Sequence, residues 1–207
     1  MAGIKVTQED FIQKVICVQD ELDPRSIQPV VVLTSKTAAL AWIDIVNGLG
    51  LDVMKYDVYC LAAGASILGT LQGVRIVGVG HDAASLVDII LKDTSIEKVS
   101  FICGNLRREE LPEKLTKKGI QVQEIIVYKT NHTPIKICED YQGVLFFSPS
   151  GIDSYLMMNK NTDCTAFCLG TTTANHAQNV GFSKIQVADI STPESLIMKV
   201  LANYMIK

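Results

Sequence analysis

The sequence predicts an α/β fold of two doubly wound parallel-sheet domains, a bilobal arrangement with a discontinuous first domain. Three observations predict it. Short apolar, β-branched runs alternate with amphipathic stretches at helical spacing, which is the pattern of βαβ units. Two polar, proline-bearing stretches, 19–29 and 129–142, each follow a strand with no helix directly after it. Three segments recur in the same order at a nearly constant offset.

The expected strands are Phe11–Val18, Val30–Thr34, Asp57–Leu61, Arg75–Val79, Lys98–Cys103, Gln121–Tyr128, Gly143–Phe147, Thr165–Leu169 and Lys184–Val187. Helical patterns fill most gaps between them: Trp42, Ile45, Val46 and Leu49 recur at helix spacing, as do Leu86, Ile89 and Ile90. The two polar stretches read as chain crossings between domains. Residues 25–127 then form one domain and 1–18 with 133–207 the other, with linkers over about 11–24 and 125–142. The internal echo supports two similar sheets. VVVLTSKTAAL (30–40) resembles VLFFSPSGIDS (144–154), YCLAAGAS (59–66) resembles FCLGTTTA (167–174), and RIVGVGHDAASL (75–86) resembles KIQVADISTPESL (184–196).

Composition excludes several classes. Nineteen Lys and Arg against 22 Asp and Glu give a formal charge of −3, with no basic face for nucleic acid. The Lys114–Lys118 cluster reads as a solvated helix end. No apolar run reaches the roughly 20 residues that cross a bilayer. The first 15 residues mix charges with apolar positions and read as no signal peptide. Cys17, Cys60, Cys103, Cys138, Cys164 and Cys168 form no CxxC pair. They read as reduced, buried, small hydrophobes, which suits the cytoplasm. His81, His132 and His176 are far apart, so no metal site is expected.

The chemistry-bearing feature is a strand followed at once by small hydroxyl residues and a helix. It occurs at Thr34–Ser35, at Ser148-Pro-Ser-Gly151 and at Thr171–Thr173. Ser or Thr there is a natural N-cap, and Pro149 suits a first helical turn. Strand carboxyl ends line the ligand crevice of open α/β sheets, and helix starts offer free N–H groups and a positive dipole end. Two sheets with such ends facing each other would bind a polycarboxylate without a cluster of Arg or Lys. A second motif, Gly78-Val-Gly80-His-Asp-Ala83, matches a GxGxxA dinucleotide pattern, but on a late strand of its domain. It keeps open a nucleotide-dependent enzyme built on Gly78–Gly80. A non-catalytic two-domain binding protein also stays open, since fold pattern alone does not decide activity.

VLFFSPSGIDSYL (144–156), FCLGTTTANHA (167–177), FICGNLRREELPEKLTKKGIQVQEIIVYKT (101–130) and VVLTSKTAA (31–39) resemble four segments of uroporphyrinogen-III synthases, in the family's order and spacing. The resemblance implies two α/β domains on a two-stranded linker and a monomer. It also implies cyclisation of hydroxymethylbilane, a linear tetrapyrrole with eight carboxylates, to uroporphyrinogen III in haem biosynthesis. Water leaves to give an azafulvene, ring D attacks through its substituted carbon to form a spiro intermediate, and reclosure leaves ring D inverted. No cofactor or metal is implied. By the family pattern Tyr128 would assist departure of the hydroxyl. Ser35, Ser66, Ser148, Ser150, Gly151, Thr171, Thr172 and Thr173 would hold carboxylates, with Lys36 adding a charge at the rim. Arg107 and Arg108 match a basic pair, with a helix-start role equally open. Two departures stand out. LAAGAS (61–66) has Ala65 at a family threonine, and the family pattern places a strand and helix before the segment matching residues 3–12, so the chain is expected to start inside that pattern.

Overall fold

A computed structural model describes residues 4–17, 22–107 and 109–205. The chain divides into two compact units, Lys14–Thr130 and Met1–Gln13 with Asn131–Lys207.

Strand β1 (Ile12–Ile16) leads into the larger unit, which contains β2 (Val30–Leu33), α1 (Lys36–Gly48), β3 (Asp57–Leu61), α2 (Ala62–Leu68), β4 (Arg75–Gly80), α3 (Ala83–Ile90), β5 (Lys98–Gly104) and α4 (Glu110–Lys117), and β6 (Gln121–His132) leads out of it. The sheet order is β1-β6-β5-β2-β3-β4. The β2–β3, β3–β4, β2–β5 and β5–β6 pairs are parallel.

Handedness explains the layers. The chain steps outward from β2 to β4, then returns to lay β5 and β6 on the other side of β2. Right-handed crossovers therefore put α1 and α2 on one face and α3 and α4 on the other. Period-2 alternation feeds both cores. Val31 and Leu33 pack with Trp42, Ile45 and Leu68, while Val32 packs with Leu86, Ile90, Leu111 and Leu115. Trp42 is fully buried, and Tyr56 meets its ring edge-on at 5.2 Å, worth about 0.5–1.5 kcal/mol beyond area burial.

Strand β6 outruns the expected Gln121–Tyr128 and continues to His132. The Cys17 N–H donates to the Val127 carbonyl and the Thr133 N–H to the Phe11 carbonyl, so β1 and β6 run antiparallel. Such a ribbon is held by its backbone ladder and needs no apolar run, which is why the polar Lys129–His132 segment gave no strand signal. Val18 lies outside the described residues.

The smaller unit holds β7 (Gly143–Phe146), α5 (Pro149–Met158), β8 (Thr165–Cys168), α6 (Thr171–Asn179), β9 (Ile185–Val187) and α7 (Pro193–Met205). Its described strands run β7-β8-β9, all parallel. Because the order never reverses, α5 and α6 share one face, packing Ile152, Tyr155, Ala174 and Ala177 against Phe146, Ala166 and Cys168. Helix α7 covers the other face through Leu196 and Val200 against Phe167. Asn159, buried, donates to the Ile135 carbonyl and accepts from the Ile137 N–H. That side chain ties the polar 129–142 stretch into this unit.

Two cysteine expectations need correction. Cys138 is exposed and Cys17 half-buried, whereas Cys60, Cys103, Cys164 and Cys168 are buried. The buried four sit in or beside strands, where a small apolar side chain fits the sheet face; Cys138 lies in the loop before β7. No described helix is long and apolar enough to cross a membrane.

Candidate functional site

In the larger sheet the strand order reverses between β2 and β5. The crevice at the carboxyl ends of two such strands is where open α/β sheets bind ligands. Ser35 follows β2, Gly104 ends β5, and Tyr128 lies on β6 opposite Gly104.

Ser35 is the N-cap of α1. Its Oγ accepts from the Ala38 N–H at 3.0 Å and lies 3.2 Å from the Tyr128 hydroxyl. The phenol thus lies beside the N-cap of α1. Lys14 stands 5.7 Å from the Tyr128 ring centroid and donates to Thr37 Oγ1 at 3.4 Å. Gly104 and Asn105 flank the same ring and its backbone. Lys14, Thr37, Gly104 and Asn105 were not expected at a site from the sequence. The Gly-Asn pair closing β5 was the available signal, since both residues mark chain turns.

Lys36 is exposed at the first turn of α1. Ser66 lies late in α2, is exposed, and donates to the Ala63 carbonyl. It is a turn away from the strand tip, because α2 starts at Ala62 directly after β3 with no side-chain cap. The N–H groups of Ala62 and Ala63 open the helix at that tip.

In the smaller unit Ser148 caps α5. Its Oγ accepts from the Gly151 N–H at 3.3 Å and meets Ser150 Oγ at 3.0 Å, with Pro149 opening the helix. Helix α6 is capped by Gly170 with no side-chain hydrogen bond. Thr171 and Thr172 are therefore helical residues, exposed beside free N–H groups, whereas Thr173 is only 4% exposed and packs inward. His176 on α6 and Asp153 on α5 meet at 2.6 Å and tie the two helices together.

Arg107 is engaged rather than free. Its guanidinium bonds Glu124 at 2.6 Å and Glu109 at 3.1 Å, and the Glu124 carboxylate holds its pKa above the usual value. Arg108 lies outside the described residues. The Gly78–Gly80 pair has a packing reason. A Cβ on Gly78 would lie 2.6 Å from the Tyr59 ring, and one on Gly80 2.8 Å from the Leu86 backbone. The helix start that a dinucleotide would use is already occupied, because Asp82 and Ser85 form a capping box on α3. No group of His, Cys, Asp and Glu among the described residues could hold a metal ion.

The family model for uroporphyrinogen-III synthase HemD matches residues 17–198. Uroporphyrinogen-III synthase of Saccharomyces cerevisiae is 33% identical over a stretch covering 35% of this chain and 34% of that protein, about a third of its length. The crystal structure of uroporphyrinogen-III synthetase from Helicobacter pylori superposes with a TM-score of 0.68 at 18% identity, covering 93% of this chain and 91% of the other. A mutant uroporphyrinogen III synthase from Thermus thermophilus gives 0.66 at 15% identity, covering 95% and 88%. At such identities the two structures show a shared fold, and the α/β expectation is borne out. The family match, which runs through both units and over the Ser35–Tyr128 site, carries the rest: this chain belongs to the uroporphyrinogen-III synthase family.

Proposed function

We propose that the protein cyclises hydroxymethylbilane to uroporphyrinogen III, with inversion of ring D. The observation that carries this is a phenol, Tyr128, held 3.2 Å from the N-cap of α1 at the switch point of a sheet that the family model covers.

The substrate supplies most of the chemistry. Pyrrole nitrogen electrons expel the terminal hydroxyl once it is protonated. Tyr128 donates that proton, and water leaves. Ser35 stabilises the phenolate left behind by donating its own hydroxyl hydrogen, while its lone pair keeps the Ala38 N–H satisfied. Ring D then attacks through its substituted carbon, the spiro intermediate fragments, and the chain recloses at the free ring carbon. That carbon loses a hydrogen as the last bond forms, returning the borrowed proton. The net change is loss of one water, so the reaction needs neither cofactor nor metal. What the protein must supply is placement of the chain against simple head-to-tail closure.

Placement rests on helix starts. The first turns of α1, α2, α5 and α6 offer N–H groups, and a hydrogen bond to a charged group is worth about 1.5–3 kcal/mol. Ser148, Ser150 and Gly151 at α5, Thr171 and Thr172 at α6, and Lys36 at α1 are the proposed carboxylate contacts. Thr173 supports α6 from beneath. A monomer belongs to the same proposal, as does a cytoplasmic location, the latter supported by free cysteines of which Cys60, Cys103, Cys164 and Cys168 are buried.

The test is to supply hydroxymethylbilane and separate the products. Type III uroporphyrinogen is expected. Spontaneous closure yields type I, so type I alone rejects the proposal. Binding without turnover would instead identify a tetrapyrrole-binding protein.

A further inference from the structure

We infer that Gly104 and Asn105 are positioning residues for the Tyr128 phenol: the turn that ends β5 sets the aim of the proton donor. This rests on Tyr128 acting as that donor.

The sheet order poses a geometric problem. Tyr128 is on β6, Ser35 follows β2, and β5 runs between them. A phenol on β6 reaches Ser35 only by crossing the end of β5. Gly104 is the residue crossed. A Cβ built there would lie 2.3 Å from Tyr128 Cε2 and 2.4 Å from Cζ. The Tyr128 ring fills the space that any side chain at 104 would need. Gly104 is not among the positive-φ glycines. Backbone freedom therefore does not require glycine at this position, and the ring does.

The register agrees. Cys103 pairs with Ile126 but Gly104 pairs with Tyr128, so β6 carries one additional residue at that point. A one-residue slip changes which face the following side chains present, and such bulges re-aim side chains beside active sites. Past Gly104 the β5 ladder ends, and Asn105 replaces it. Its N–H donates to the Tyr128 carbonyl at 3.1 Å, and its Oδ1 accepts from the Thr130 N–H at 2.8 Å. One residue thus holds the β6 backbone at Tyr128 and two residues beyond it. Lys14, the cation beside the ring, adds a contact from the β1 side.

A residue that only stabilises the fold and one that aims a phenol make different predictions. Asn105→Ala and Asn105→Asp are to be compared in the native protein and in Tyr128→Phe, with kcat and KM for type III formation. Asn105→Ala is expected to lower kcat by roughly ten- to a hundredfold, the scale of a misplaced reacting group, with KM little changed. Asn105→Asp keeps the acceptor oxygen and should recover most of kcat. In Tyr128→Phe, Asn105→Ala should cost nothing further, because the aimed hydroxyl is gone. Equal losses in both backgrounds, or a loss confined to KM, would overturn the inference.

Gly104→Ala supplies a readout independent of activity, and stands if Asn105→Ala does not fold. It should lower the denaturant midpoint of the native protein and leave that of Tyr128→Ala almost unchanged, since the ring the methyl strikes is then absent. An equal shift in both overturns the placement of Tyr128 over Gly104. If the wild type makes only the type I product, the functional proposal fails on its own, while this stability comparison still decides whether residue 104 seats the ring.

Discussion

The Tyr128 hydroxyl and Ser35 Oγ lie 3.2 Å apart, although 93 residues separate them in the chain. Neither residue alone marks a site. Together they put an acidic hydrogen at the mouth of a helix and at the switch point of a sheet. Tyr128→Phe is therefore expected to slow type III formation by about 10²-fold or more, the usual reach of general acid catalysis. The loss should exceed that of any single change at Ser35, Ser66, Ser148, Ser150, Thr171, Thr172 or Thr173. Product separation after single turnover measures it, and a rate near wild type would return Tyr128 to packing.

Ser35 has two duties that can be separated. Ser35→Ala removes an N-cap and should lower unfolding free energy by about 1 kcal/mol. It should also slow catalysis, because the phenol loses its partner. Ser148→Ala should cost similar stability through α5. Thr172→Ala should stay within about 0.5 kcal/mol, the usual range for a surface change, since α6 is capped by Gly170. Urea midpoints for the three variants would show a pair and an outlier; three equal shifts would contradict the capping assignments.

The glycines of β4 separate packing from nucleotide chemistry. Gly80→Ala forces a methyl against the Leu86 backbone at 2.8 Å and should cost about 1–3 kcal/mol, as overpacked positions do. NAD, NADP and ATP should leave the wild-type melting temperature unchanged, since a ligand that binds the native state raises it. A clear rise with any of the three would restore the nucleotide reading.

The cysteines give a labelling and a pH prediction. Burial, then the nearby Glu124 carboxylate, pushes the Cys103 thiol up to about 12, and burial pushes Cys168 up to about 11. The thiolate is the reactive form, so at pH 8 native protein should be alkylated at exposed Cys138 and spared at Cys60, Cys103, Cys164 and Cys168. A folded-state pKa above the unfolded value means stability fully present below about 8.5 and lost as pH rises toward 12. Denaturant midpoints should accordingly fall across that alkaline range. Rapid labelling of Cys103 at pH 8 would show that its core is open.

Much of the fold was legible because its signals are local. The apolar runs at Val30–Leu33 and Lys98–Cys103 needed only period and β-branching to read as strands. Ser35 and Ser148 read as caps because capping is settled within one helical turn. The end of β6 was not legible, since Lys129–His132 pairs through its backbone and leaves no trace in side-chain pattern. Nor was it legible that Thr173 faces the core while Ser66 sits a turn inside α2. A run of hydroxyls does not say which residue is the cap, and in α6 it is the glycine before them. Arg107 read as one of a basic pair with a helix-start role equally open; Glu124, on the neighbouring strand, is what claims it.

What the sequence determined by itself was the set of elements, their α/β alternation and the family. These depend on residue periodicity and on segments read in order. The tertiary structure decided which strand tips are neighbours. Right-handed crossovers and the reversal after β4 bring β5 between β2 and β6, so that Gly104, Asn105, Ser35 and Tyr128 share one place. Such a meeting is set by sheet order and by a single register slip. Neither is written in the spacing of residues along the chain, because backbone pairing is blind to which side chains it joins.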